Sequence, residues 1–244
     1  MTEGPDPQAL ARAMEATWPP AELARAGGFL LRRGAGGGKR VSAATAETDA
    51  PDIPAARAAM AAWGQVPLFL IRPGEGALDA ALAAQGDEVR DVTTVLAAPA
   101  AQLADPPPEP MAAFVHWPPL AMAETLWAEA GIGPGRLAVM HRVAGPRAAV
   151  LGRTEDRAAG VAFVAADGPV AVLHALAVVP GFRRRGTGLA LLRAAAGWAV
   201  AAGADWLALA VTQANRPAQA LYHRAGMAEV ARYHYRAPPG PGGW

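Results

Sequence analysis

Apolar positions recur every second residue in some stretches and every three to four in others, and this alternation divides the chain into strands and helices. Residues 29–33 and 39–44, joined by a Gly-rich turn at 34–38, predict a hairpin. A helix over 54–63, a strand over 66–72, a helix over 77–85 and a strand over 88–96 follow. Further on, the pattern predicts a helix over 120–130 and strands near 138–143, 148–153, 158–165 and 170–178. A long helix over 187–202, a strand over 206–211, a helix over 217–225 and a last strand over 229–236 complete the chain. Antiparallel strands come first and a strand, helix, strand crossover later, so the class is α+β with mixed strands.

Residues 99–110, with Pro106, Pro107 and Pro108, lose backbone donors and read as an extended linker between two halves, 1–98 and 111–244. Sliding the chain on itself by 140 positions lays 66–86 on 206–226, strand on strand and helix on helix, and both helices end at a glycine suited to a left-handed cap. The two halves are therefore candidate copies of one fold. The slide sets Glu75 opposite Asn215 and Leu82 opposite Tyr222, so a first copy would lack the polar groups of the second.

Composition narrows the class of protein. The 244 residues carry 22 Lys+Arg against 21 Asp+Glu, a formal charge of +1, and 52% are hydrophobic. That is a globular balance, and it implies no nucleic-acid or membrane partner. The absence of cysteine excludes disulfides, thiolate metal sites and a cysteine nucleophile, and fits a cytoplasmic location. The start, residues 1–8, is acidic and Pro-bearing, unlike a targeting segment. The charge-free run 168–182 is shorter than the roughly 18 residues a membrane span needs.

One segment concentrates candidate chemistry. An apolar strand over 170–178 feeds Arg183, Arg184, Arg185, Gly186, Thr187 and Gly188, and these open a helix that continues with Leu189. A Gly-bearing turn at a helix N-terminus makes an anion cradle, because the first-turn amides donate and the helix dipole favours negative charge. The dinucleotide fingerprint fails at Leu191, and the P-loop fails because Lys39 is followed by Arg40. Alone, the three arginines would read as a solvated basic turn.

The pattern Arg183-x-x-Gly186-x-Gly188 after a strand resembles that of the GNAT superfamily, the Gcn5-related N-acetyltransferases. The stretch from Asn215 through Ala220, Leu221 and Tyr222 to Gly226-Met227 is similar to the family's second signature. The likeness is good over about 170–236. The first half resembles the degenerate leading module of tandem GNAT proteins. A central, mostly antiparallel sheet flanked by helices is the implied fold, with acetyl-CoA as acyl donor, no metal, and an amine of a small molecule or peptide as acceptor. The expected assembly is a monomer or homodimer.

The resemblance implies a role for each candidate residue. Amides from Arg184 to Leu189 would hold the coenzyme pyrophosphate, with Arg183 and its neighbours near the other phosphate. Strand residues Leu176, Ala177 and Val178 would bond the pantetheine arm, and Asn215 would fix it from the neighbouring strand. Tyr222 is implied as the general acid at the sulfur, a role that suits a phenol protonated near neutrality. His174 is the candidate base; by alternation it shares a face with Val172 and Leu176, and that face reads equally well as core. Asn215 also reads as a simple helix cap and Tyr222 as a buried anchor. His116, His141, His223 and His234 lack metal-ligand spacing, and the tryptophans at 18, 63, 117, 127, 198 and 206 read as packing. The competing function is a catalytically silent acyl-CoA-binding sensor or interaction module; a transferase for longer acyl chains shares the same cradle.

Overall fold

The computed structural model describes residues 4–242 and 244, so Met1 to Glu3 of the acidic start lie outside the described residues. The chain forms two compact units. One comprises the N-terminal residues to Trp18, Val95–Val211 and Asn215–Val230; the other comprises Pro19–Thr94, Thr212–Ala214 and Ala231–Trp244.

In the first unit, α1 (Pro7–Ala16) starts at Asp6, whose carboxylate accepts the Ala9 amide at 2.7 Å. A sheet follows, in the order β6 (Ala113–His116), β7 (Arg147–Thr154), β8 (Arg157–Asp167), β9 (Val170–Val178) and β10 (Trp206–Thr212). The end of β5 (Glu88–Pro99) lies beside β10. Pairing is antiparallel from β6 to β9 and parallel between β9 and β10, as the crossover helix α7 (Thr187–Ala201) between them requires. Leu191, Leu192, Ala195, Ala196 and Ala199 form the buried stripe of α7 and join Ala171, Leu173, Leu207 and Leu209 in one core. Helices α5 (Ala121–Glu129) and α8 (Arg216–Arg224) complete the frame of the site.

Two readings of this unit change. Residues 138–143 form no strand; they lie in or just after helix α6 (Pro134–Arg142), where Pro134 stands in the first turn, the position at which a missing N–H costs nothing. Residues 99–110, read as a linker, hold the end of β5 and helix α4 (Ala100–Ala104), with Ala100 and Leu103 buried in the core.

The second unit contains a three-stranded antiparallel sheet of β1 (Glu22–Ala26), β2 (Phe29–Arg33) and β3 (Thr45–Ala46). The hairpin partner of β2 is therefore β1, across Gly27-Gly28, rather than 39–44, where Lys39–Val41 make a single 3-10 turn. Helix α2 (Ile53–Ala62), strand β4 (Phe69–Ile71) and helix α3 (Gly76–Ala84) follow. β4 pairs antiparallel with β11 (Ala228–Ala237), and the start of β5 lies on the other side of β11. Phe29, Leu31, Met60, Phe69, Ile71 and Leu82 make this unit's core.

Candidate acyl-transfer site

The site begins with an irregularity in β9. Phe163 on β8 pairs with His174 and Val161 with Ala177, so Ala175 and Leu176 together face the single residue Ala162. This is a β-bulge, and Ala175 takes a left-handed φ of +50° to make it. The extra residue resets the alternation. Leu176 and Val178 pack against the same cluster as Ala171 and Leu173, whereas His174 is sent to the opposite face. The parallel register of β9 with β10 ends at Leu173 opposite Leu209, so Leu176, Ala177 and Val178 continue as a half-buried edge.

Beyond β9 the chain turns through Pro180–Phe182 into Arg183, Arg184 and Gly186. Arg184 has φ +63° and Gly186 φ +87°, conformations that turn successive amides inward as in an anion-binding nest. Gly186 is the N-cap of α7 and has no capping side chain, so the amides of Thr187, Gly188 and Leu189 keep the unsatisfied donors of a helix start. The first helical bond is made by the Ala190 amide to the Gly186 carbonyl at 3.0 Å. Thr187 contributes only its backbone. Its buried hydroxyl shares a 2.8 Å hydrogen bond with the Thr154 hydroxyl and donates to the Phe182 carbonyl.

A Cβ placed on Gly188 would stand 3.0 Å from Leu221 Cδ2 and 3.8 Å from Val178 Cγ2. The end of β9, the first turn of α7 and α8 thus converge on a glycine, and any side chain there would fill the gap. The arginines point to separate tasks. Arg183 folds back and its Nε donates to the Val178 carbonyl at 3.2 Å, Arg185 pairs with Glu155 at 2.5 Å, and Arg184 is exposed.

Helix α8 supplies the other candidates. Asn215 is its N-cap, and its Oδ1 accepts the Ala218 amide at 3.3 Å. Two turns on, Tyr222 is buried in the core shared with α7, and burial pushes its phenol up to about 12. Its hydroxyl makes no hydrogen bond among the described residues, so the proton is uncommitted.

His174 is not brought to this group. Its ring is buried, tilted against Trp18 at 4.9 Å and Phe163 at 6.0 Å between centroids, and its Nε2 lies 2.9 Å from the Thr17 hydroxyl. The Thr17 hydroxyl donates to the Ala13 carbonyl at 2.6 Å, so it accepts from His174, which fixes the proton on Nε2. This seating is what the core reading of His174 requires, and the reading that it shares a face with Leu176 is corrected by the bulge.

The sequence offered no signal for the bulge, since alanine rarely takes positive φ. It also hid the residue that meets it: Trp127 on α5 is fully buried and its indole N–H donates to the Ala175 carbonyl at 2.9 Å. Among the described residues, no group of three or more His, Cys, Asp or Glu could hold a metal, and no helix is long and apolar enough to cross a membrane.

A strand that bulges and leaves its parallel neighbour leads here into an uncapped glycine helix start, and this segment falls within a match to the acetyltransferase (GNAT) family. The model of that family matches residues 108–227, and the chain carries a GNAT acetyltransferase domain there. Among solved structures, a GCN5-related N-acetyltransferase from Kribbella flavida is similar over 96% of this chain and 94% of its own, at 19% identity and a TM-score of 0.70. A tandem GNAT protein from the clavulanic acid biosynthesis pathway is similar over 97% of each chain, at 16% identity and a TM-score of 0.58. A functionally unknown protein from Staphylococcus epidermidis shares the fold at 9% identity and a TM-score of 0.66, over 91% of this chain and 96% of its own. No curated protein matches the chain in sequence.

Proposed function

We propose that the chain transfers an acetyl group from acetyl-CoA directly to an amine of a small molecule or protein, with Tyr222 as general acid. The observation that carries this reading is the start of α7, where an uncapped left-handed glycine is followed by a glycine whose Cβ would meet Leu221. Such a start fits a pyrophosphate, which needs close backbone approach and several amide donors at the positive end of a helix dipole.

Acetyl-CoA, when bound, supplies an activated thioester. The amides from Arg184 to Leu189 would bind its pyrophosphate, and Arg183, Arg184 and Arg185 would lie near the remaining phosphate. The half-buried edge of Leu176, Ala177 and Val178 would bond the pantetheine arm as an added strand does, with Arg183 leaving the Val178 carbonyl. Asn215 would serve both the α8 cap and the arm. Tyr222 holds its proton through the neutral range because of its burial, and can give it to the departing sulfur.

Of the acidic residues that could gather a polycationic acceptor, Glu155 is paired with Arg185 and Asp156 with Arg153 at 2.6 Å. The same reading takes 111–244 as the catalytic domain, 1–98 as a degenerate copy and 99–110, part of it the core-packed helix α4, as the connection between them. The 140-residue offset supports it: α3 at Gly76–Ala84 maps onto α8 at Arg216–Arg224, and each is followed by a positive-φ glycine, Gly86 and Gly226.

The test is release of free thiol from acetyl-CoA by the purified protein, with and without a panel of primary amines. Amine-dependent release is expected. The alternative, a silent acyl-CoA sensor, is favoured by one observation, the seating of His174 away from the edge of β9; coenzyme binding with no release for any amine would support it.

A further inference from the structure

The turn between β7 and β8 is a two-residue hairpin turn, with Glu155 at φ +52° and Asp156 at φ +58°, and Thr154 is paired with Arg157 across it. Left-handed φ at both central residues gives the turn whose twist matches its strands, so the hairpin ends in a firm tip. Three residues of that tip reach the segment that opens α7. The Thr154 hydroxyl meets the Thr187 hydroxyl at 2.8 Å, Glu155 pairs with Arg185, and the Arg157 guanidinium lies over the Phe182 ring at 5.4 Å from its centroid.

The hydroxyl pair has a direction. Thr187 has one hydroxyl proton and gives it to the Phe182 carbonyl at 3.3 Å, so its oxygen accepts the proton of Thr154. Phe182 and Thr187 are the two ends of the loop 183–186, in which Arg184 and Gly186 take left-handed φ. An arginine in that conformation is strained, so the loop needs support from outside itself. One hydroxyl ties its two ends together, and Thr154 fixes which way that hydroxyl points. Gly152 and Gly160 face each other across β7 and β8 beneath it. A Cβ on Gly152 would stand 3.1 Å from Leu191 and 3.3 Å from Thr187 Cγ2, and one on Gly160 3.0 Å and 3.2 Å from the same side chains. The paired glycines thus let the first turn of α7 settle directly on the strands.

We infer that Thr154 is a positioning residue for the pyrophosphate: through the Thr187 hydroxyl it holds the loop 183–186 in the shape that gathers the amides of Arg184 to Leu189. This inference rests on the acetyl-CoA reading and adds to it a residue outside both signature segments. Thr154 acts only through the backbone that it holds. A donor array fixed before binding loses no affinity to the ordering of a loop.

The discriminating variants are Thr154→Val, which keeps the shape and removes the hydroxyl, and Thr154→Ser, which keeps the hydroxyl. Both are titrated with coenzyme A by calorimetry, once circular dichroism shows them folded. Thr154→Val should bind about tenfold more weakly than wild type, the ratio one hydrogen bond confers, and Thr154→Ser within about twofold of it. Equal affinity in wild type and Thr154→Val, or a serine variant as weak as the valine one, would overturn the inference while leaving the cradle intact. If wild type itself failed to bind coenzyme A, the acetyl-CoA reading would fall and this inference with it. Should Thr154→Val not fold, magnetic resonance of wild type decides: the Thr154 hydroxyl proton should exchange slowly with water, both free and with coenzyme A bound, and a proton in fast exchange would refute the contact.

Discussion

Two helix starts in this chain follow the same order of elements and end in opposite chemistry. In the later half of the sequence β7, β8 and β9 lead into α7, β10, α8 and β11; in the earlier half β1, β2 and β3 lead into α2, β4, α3 and β5. Helix α7 opens on Gly186, with no side chain at the cap. Helix α2 opens on Asp52, whose Oδ1 accepts the Ala55 amide at 3.0 Å, and Pro54 in its first turn has no N–H to give. A carboxylate thus sits where an anion would have to bind. The strands before them differ as well: β9 runs for nine residues and β3 for two, so only the first offers an edge for an extended arm. An anion site at a helix start can be closed by one acidic cap and one proline without disturbing the helix.

The contrast can be broken most severely at the chemistry itself. Tyr222→Phe should lower turnover by about 10²-fold or more, the range of a lost general acid, with coenzyme affinity unchanged. Turnover equal to wild type would remove Tyr222 from the reaction. Because burial holds its phenol up to about 12, the alkaline limb of wild-type turnover should stay free of this group until the pH approaches that value. A loss centred near pH 10 that vanishes in the Phe variant would contradict that.

Next in size is Gly186→Asp, which gives α7 the kind of cap α2 has. It should weaken coenzyme A binding about 100-fold, seen by calorimetry, because the carboxylate occupies and repels at the anion position. His174→Ala should lower stability by about 2 kcal/mol or more through the cavity and the lost hydrogen bond to the Thr17 hydroxyl, read by denaturant melts. Its pH–rate profile should match wild type; a lost limb would restore His174 as the base. The smallest effect is expected from Asp52→Ala, a loss of about 1 kcal/mol of stability with coenzyme binding untouched.

The parts of the site built from local signals were legible in the sequence. Gly186, Gly188, the α7 stripe and the Asn215 cap each declare themselves within a few residues, and helix and strand periods placed α8 and β9 close to their observed bounds. What depended on distant contacts was not. The bulge at Ala175 comes from a register shift against β8 and a hydrogen bond from Trp127, 48 positions away, and it alone moves His174 to the other face from Leu176. Helix α1 is marked by Asp6 and Pro7 at its start and by the inward Ala9, Leu10 and Ala13, signals that a reading of residues 1–8 for targeting character alone does not use. The apolar run Leu137 to Met140 has the local look of a strand, but Pro134 opens a helix there and Val139 and Met140 are its buried face.

The most direct test of the cradle is calorimetric titration of acetyl-CoA into the wild-type protein and into Gly188→Glu, whose side chain would enter the space between Val178 and Leu221. Saturable binding by wild type and none by the variant, both folded by circular dichroism, is the expected result. Equal binding by the two proteins would contradict the assignment of the α7 start as the pyrophosphate site.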